Sequence, residues 1–300
     1  MFLRIARLIA VVLLFVCASG VGAAFADAKN SGKLRIVSLS PATTEWVDAF
    51  GLADSLVGVT EQCDFPPRVG VVSKVGSFMR TSIERVLLNK PTDVVTVDGL
   101  PSTLRGQLVA NGVRVHVFAV QRLADFPAQI LSLGEALGAA EQGKIWADRF
   151  KSVMVESWPT VNASGKAASR TSRISPVVKS FLIFVALQPP YVAAPESWLS
   201  ELFERHGHRN GMRELPSISQ GKSSFVQMSL EAVFKTKSDL WVTFSERAAD
   251  NESIRKRAAT LMSRGRIEKP PRIEILSADL FHRPGPRLLE AFQQVGRLYQ

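Results

Sequence analysis

Four short apolar runs stand out between Leu34 and Val120: LRIVSL (Leu34–Leu39), LVGV (Leu56–Val59), DVVTV (Asp93–Val97) and VRVHVFAV (Val113–Val120). They are rich in β-branched residues and bounded by turn formers, a pattern that predicts strands. Between them lie stretches of helical pattern, as in Ser82–Asn89 and Ser102–Asn111. The alternation predicts βα units and a mostly parallel sheet. After Phe126 the strand pattern stops. Ile130, Leu133, Leu137, Ile145, Phe150 and Met154 recur at roughly helical spacing, so Phe126–Ser157 reads as one long helix with a flaw near Gly138 or Gly143. Polar, basic Asn162–Arg173 reads as an exposed connection. Strand patterns resume at Phe181–Leu187, Leu240–Phe244 and Arg272–Leu276. The expected fold class is therefore α/β, with two lobes (roughly 27–125 and 177–300) that each hold a mostly parallel sheet. One long helix (126–157) and an exposed connection (158–176) join them.

The second half echoes the first. SFMRTSIERVLLNK (Ser77–Lys90) aligns without a gap on SFVQMSLEAVFKTK (Ser224–Lys237), and six of the 14 pairs are identical. Each copy leads into an apolar strand. Two similar lobes create a cleft, and pockets favour such interfaces. Phe78 and Phe225 occupy equivalent positions, each read as lying in a loop before a helix. Either alone reads as local core packing; as a pair they read as ligand walls. Ser82 and Ser229 suit N-caps, which puts Glu84 and Glu231 in first helical turns. A carboxylate there favours the helix dipole. The spacing is not that of a capping box, so both carboxylates are free to face a partner.

The N-terminus adds a targeting signal. Arg4 and Arg7 precede an apolar stretch, Leu8–Cys17, and AFA (Ala24–Ala26) supplies a small-residue cleavage site. This predicts a signal peptide over residues 1–26 and a periplasmic mature chain. Ten apolar residues fall short of a membrane span. Lipidation at Cys17 is the alternative, disfavoured by bulky Phe15 and Val16. Removal of the signal peptide leaves Cys63 as the sole cysteine, so the fold rests on its core, without a disulfide. The formal net charge is +10, but the cations are scattered and match no nucleic-acid motif, which argues against nucleic acid as a partner. No G-x-S-x-G, GxGxxG or Walker pattern supports an enzyme. His206 and His208 lack nearby cysteine or carboxylate ligands in metal spacing and read as surface variation.

The chain resembles the periplasmic substrate-binding proteins of ABC importers for cobalamin and iron complexes, and within them the cobalamin-binding type. RIVSLSPATTE (Arg35–Glu45), VGVTEQCDFPP (Val57–Pro67), SIERVLLNKPTDVV (Ser82–Val95), QPPY (Gln188–Tyr191) and DLFHRPGPRL (Asp279–Leu288) carry the resemblance, in the family's order. It implies two α/β lobes joined by one helix. It implies a corrinoid held in the cleft as transported ligand rather than cofactor, an inner-membrane ABC permease as partner, and a monomer. Phe78, Tyr191 and Phe225 fall on aromatic ligand positions. Gln62 stands where a tyrosine is familiar and Val97 where a tryptophan is, which implies a thinner cage. The loop Asp279, Leu280, Phe281, His282 and Arg283 matches the ligand-contacting loop, with Asp279 and Arg283 as polar contacts. Pairing of these two with each other is the bland alternative. Glu84 and Glu231 map to the permease-docking glutamates. Cys63, beside the cleft, reads as a buried thiol, with an axial cobalt contact as the remote alternative. Ferric siderophore or haem is the alternative ligand class; an enzyme or metal-sequestering protein on the same fold is the alternative of a different kind.

Overall fold

The computed structural model describes residues 33–78, 80–156, 160–161, 167–168, 180–206, 208–215, 223–265 and 269–298. The predicted signal peptide, its cleavage site, Cys17 and most of the 158–176 connection lie outside the described residues. Among those described, no helix is long and apolar enough to cross a membrane.

The first lobe is built on β1 (Ile36–Ser38), β2 (Leu56–Val59), β3 (Asp93–Val97) and β4 (Arg114–Phe118). Their order is β2-β1-β3-β4 and every pair is parallel. Neighbouring residues of one strand enter different cores: Val94 packs with Val37, Leu39 and Leu108, while Val95 packs with Ile36, Trp46 and Phe118. Both faces are covered, which explains why these strands read as apolar runs rather than alternating ones. Helices α1 (Pro41–Ala49), α2 (Ile83–Leu88) and α3 (Ser102–Ala110) belong to this lobe. Helix α1 starts cleanly because Ser40 Oγ accepts from the Thr43 amide at 3.2 Å and Pro41 takes the first helical position.

The stretch expected to be one helix is two, α4 (Phe126–Ala136) and α5 (Ala140–Glu156). The anticipated flaw is a full break: Gly138 adopts φ +75°, and the chain turns back so that α5 packs on α4. The contact is backbone to backbone, since a Cβ on Gly134 would lie 2.8 Å from the Gly143 Cα. The apolar periodicity runs through the break because both helices bury residues in one core, among them Ile130, Leu133 and Phe150. Ile145, expected on that face, is exposed instead.

The second lobe holds β5 (Ser180–Leu187), β6 (Pro190–Ala193), β7 (Phe225–Gln227), β8 (Leu240–Ser245) and β9 (Arg272–Ser277), in the order β7-β6-β5-β8-β9. Strands β5, β8 and β9 are parallel, while β6 runs antiparallel to both its neighbours. Strands β6 and β7 are additions to the sequence reading; Phe225 begins a strand rather than sitting in a loop. Helices α6 (Trp198–Glu204), α7 (Leu230–Lys235), α8 (Asn251–Arg264), α9 (Ala278–Phe281) and α10 (Leu288–Leu298) belong to this lobe. One core cluster contains Trp46 and Phe118 from the first lobe, Phe126 from the linking α4, and Phe181, Trp198, Phe203 and Phe281 from the second lobe. Phe126 meets Trp198 edge-on, with ring centroids 6.0 Å apart. The two lobes therefore share a continuous apolar seam.

The sequence echo is also an echo of backbone. Ser82 Oγ accepts from the Arg85 amide at 3.3 Å, and Ser229 Oγ accepts from the Ala232 amide at 3.2 Å. Helices α2 and α7 have six residues each. Past each helix a lysine, Lys90 or Lys237, takes the left-handed region at φ 46°. A non-glycine residue adopts that conformation rarely, so its recurrence at equivalent positions favours shared architecture over coincidence.

A buried carboxylate anchors the start of β3. Asp93 is fully buried and accepts from Arg114 Nε and Nη2, each at 2.8 Å, from Thr92 Oγ1 at 2.7 Å, and pairs with His116 Nε2 at 2.8 Å. Burial pushes its pKa up, but the bonds from His116, Arg114 and Thr92 outweigh burial and hold it at about 2, below the ordinary 3.8. A depressed carboxylate stabilises the fold above its unfolded pKa and loses that contribution as pH falls through the folded value. Urea unfolding is therefore expected to show about 2 kcal/mol from this group at neutral pH, lost between roughly pH 4 and pH 2. In Asp93→Asn that segment of the pH profile should flatten; an unchanged slope would refute the assignment.

Candidate functional site

The loop after β2 is turned by Cys63. Its thiol is buried, within 3.1 Å of both Thr44 Oγ1 and Thr60 Oγ1, and its carbonyl accepts from Lys74 Nζ at 3.0 Å. With Cys63 pinned inward, its neighbours Gln62 and Asp64 are exposed. Gln62 Oε1 accepts from the Phe78 amide at 3.3 Å. That amide belongs to a tight hairpin, Gly76–Ser77 against Arg80–Thr81. Gly76 is required there: it adopts φ +109°, and a Cβ would lie 2.5 Å from the Arg80 carbonyl oxygen. Gln62 and Phe78 thus form one first-lobe group, with the Phe78 ring near Gly99.

In the second lobe β6 and β7 pair Tyr191 with Gln227 and Ala193 with Phe225. Directly paired residues share a sheet face, so Tyr191 and Phe225 are diagonal neighbours on one face. Val192 and Val226 point the other way, into the core behind the sheet, while Ala193 and Phe225 join the cluster shared by the lobes. Tyr191 is 38% exposed. The pair therefore lies on the sheet face turned toward the inter-lobe seam.

The segment after β9 carries the densest electrostatics. Arg283 Nη1 and Nη2 contact Asp64 Oδ1 and Oδ2 at 2.6 and 3.2 Å, reaching across to the first lobe. Nη2 also meets Asp279 at 2.7 Å, and Nη1 lies 3.4 Å from Glu45. Arg287 donates to Glu45 through Nε at 3.1 Å and Nη2 at 2.7 Å, and its guanidinium lies 4.3 Å from the Phe65 ring centroid. Trp46 Nε1 donates to the Pro284 carbonyl at 2.9 Å. Gly285 lets the segment approach α1, because a Cβ would sit 2.9 Å from Glu45 Oε2. The stiff Pro-Gly-Pro stretch therefore has a structural role, which is to lock the second lobe onto α1.

Other members of that loop have distinct surroundings. Asp279 and Leu280 are half-buried. His282 is exposed, with its ring edge against Phe244 at 4.4 Å between centroids. Phe281 departs from the expectation of ligand contact: its ring is fully buried against Phe203 and Phe244, because α9 turns it into the core. His208 is buried rather than variable surface, and burial pushes His206 down to about 4. Among the described residues no cluster of histidine, cysteine and carboxylates could hold a metal ion. Glu84 and Glu231 are exposed, one per lobe; the first accepts from Ser82 Oγ at 2.7 Å and the second pairs with Lys235 at 2.8 Å. Sequence reasoning does not single out Glu45, Asp64 or Arg287. The available signal is the i,i+4 arginine pair around Gly285.

The sequence profile of the family described as periplasmic binding protein matches residues 36–263. The chain belongs to the periplasmic binding protein family. It is 26% identical to the vitamin B12-binding protein of Vibrio cholerae (El Tor strain N16961) over 290 residues, 96% of this chain and 95% of that one. It is 29% identical over 266 residues to an uncharacterized ABC transporter substrate-binding lipoprotein, YvrC of Bacillus subtilis, covering 87% of this chain and 78% of that one. Among solved structures, the periplasmic vitamin B12 binding protein BtuF of V. cholerae superposes with a TM-score of 0.67 at 25% identity, over 88% of this chain and 95% of that one. The periplasmic heme-binding protein RhuT of Roseiflexus sp. RS-1 has the same fold, with a TM-score of 0.70 at 20% identity over 89% and 98%. This periplasmic binding protein is thus a substrate-binding protein of the ABC-importer type with the expected two-lobe α/β architecture.

Proposed function

We propose that the chain captures a corrinoid, cobalamin or a close relative, between its lobes and delivers it to an ABC permease. The observation that carries the reading is the composition of the site. Phe78 stands beside Gln62 on the first lobe, and Tyr191 and Phe225 share one sheet face on the second. A broad, flat, amide-fringed molecule needs apolar area with a few fixed polar contacts. Aromatic side chains supply that area at low entropic cost. Near-full-length likeness to vitamin B12-binding proteins supports the same reading. The lobes act by binding.

Calorimetry with cyanocobalamin, with haem and a ferric siderophore as controls, tests the proposal. Cyanocobalamin should bind, and the Phe78→Ala and Phe225→Ala variants should each lose roughly 1–3 kcal/mol. Binding of a siderophore or haem with no heat from cyanocobalamin would transfer the protein to that ligand class. We also propose a monomeric, periplasmic mature chain beginning at Asp27, which N-terminal sequencing of the exported protein checks. Glu84 and Glu231, exposed at equivalent positions of the two lobes, are proposed to meet cationic residues of the permease.

A further inference from the structure

Arg283 is the obvious cation for a ligand to seek at this site, yet its charge is already answered. Contacts at 2.6, 3.2, 2.7 and 3.4 Å to Asp64, Asp279 and Glu45 occupy both of its terminal nitrogens. Arg287 is likewise committed to Glu45. Two cations, Arg283 and Arg287, face three carboxylates, Glu45, Asp64 and Asp279, so the acids outnumber the arginines by one. The three acids differ in how readily they could be displaced. The Glu45 side chain is 1% exposed and that of Asp279 34%, while that of Asp64 is 59% exposed. Asp64 is also the one carried by the loop that presents Gln62. It therefore brings its carboxylate to Arg283 from the same loop that carries Gln62.

We infer that Asp64 is a specificity-determining residue that occupies Arg283 from the opposite lobe, so that the part of the ligand reaching this rim is uncharged. The inference rests on the placement of the site proposed above. A carboxylate, catecholate or propionate arriving here must displace Asp64 from a bidentate, charge-assisted pair and leave a negative charge beside its own. An amide needs only a hydrogen bond and brings no charge to repel. The Arg283 bond holds the Asp64 carboxyl below the usual carboxylate range, so the shield is ionised at neutral pH.

Two matched ligand pairs test this, each differing essentially in charge: cyanocobalamin against its side-chain monocarboxylic acid, and haem against its dimethyl ester. Affinities are measured for the wild-type protein and for Asp64→Asn, with Asp64→Ser as a second variant. Both substitutions are at an exposed position, and a thermal scan checks that the variants fold. The wild type should favour the uncharged member, and Asp64→Asn should shift the charged-to-uncharged ratio by about tenfold toward the acid. A ratio that neither substitution moves overturns the inference, whichever pair binds. Haem binding without corrinoid binding removes the corrinoid reading but leaves the ratio as the test of Asp64. If neither pair binds, the inference falls together with the proposed site.

Discussion

Replacing Glu45 by alanine is expected to be among the most destabilising single changes in the molecule. The Glu45 side chain is 1% exposed, yet it serves two arginines of the other lobe, Arg287 at 2.7 Å and Arg283 at 3.4 Å. Removing one partner of a buried ion pair typically costs ~3–5 kcal/mol, because the remaining charge is left without compensation. Arg283 would keep Asp64 and Asp279, whereas Arg287 would be left against the face of Phe65. The lower end of that range, about 3 kcal/mol, is therefore expected. For a chain of this size it corresponds to a fall in Tm of roughly 5 °C. Glu45→Gln should lose less, since it keeps the volume and one acceptor. A Glu45→Ala protein that melts within a degree or two of wild type would show that the cluster does not hold the lobes.

That cluster also marks where sequence reading stops. The strands LVGV and DVVTV coincide residue for residue with β2 and β3, because a parallel strand covered on both faces is mostly apolar on both. The βα alternation and the duplicated segment are legible for the same local reason. The break at Gly138 is visible only as a flaw, since burial of both α4 and α5 against one core preserves the periodicity across it. Strands β6 and β7 are hidden because four and three residues are too few to show a period, and Pro190 argues against a strand interior. At the site, duplication and motif point to Phe78, Tyr191 and Phe225. Glu45 and Arg287 are 242 positions apart, and nothing local in either announces the other. The loop at 279–287 looks costly for a ligand's sake. In the structure the same proline, glycine and arginines also serve a junction between lobes, and Phe281 belongs to that junction's core.

Away from the site, Glu84 and Glu231 lie in the first turns of equivalent six-residue helices, α2 and α7, both exposed. Neither carboxylate is spent on closing its helix, since Ser82 and Ser229 accept the amides three residues on. Two acidic points on a two-lobed body, one per lobe, fit a two-sided membrane partner that presents cations. They differ in readiness. Glu84 is held by the Ser82 hydroxyl, and the residue one turn on, Leu88, is 78% exposed. Glu231 is paired with Lys235, the residue equivalent to Leu88, and under the proposed docking role would exchange that cation for the partner's. Charge reversal at either position places like charges across the contact, so Glu84→Lys and Glu231→Lys should each lower transport by at least about tenfold, the first more than the second. The double variant should abolish uptake. Cyanocobalamin affinity, measured by calorimetry on the same proteins, should remain at the wild-type value, because both helices expose these side chains to solvent. Uptake that survives double reversal would remove the docking role, and a parallel loss of ligand affinity would place the two glutamates at the ligand instead.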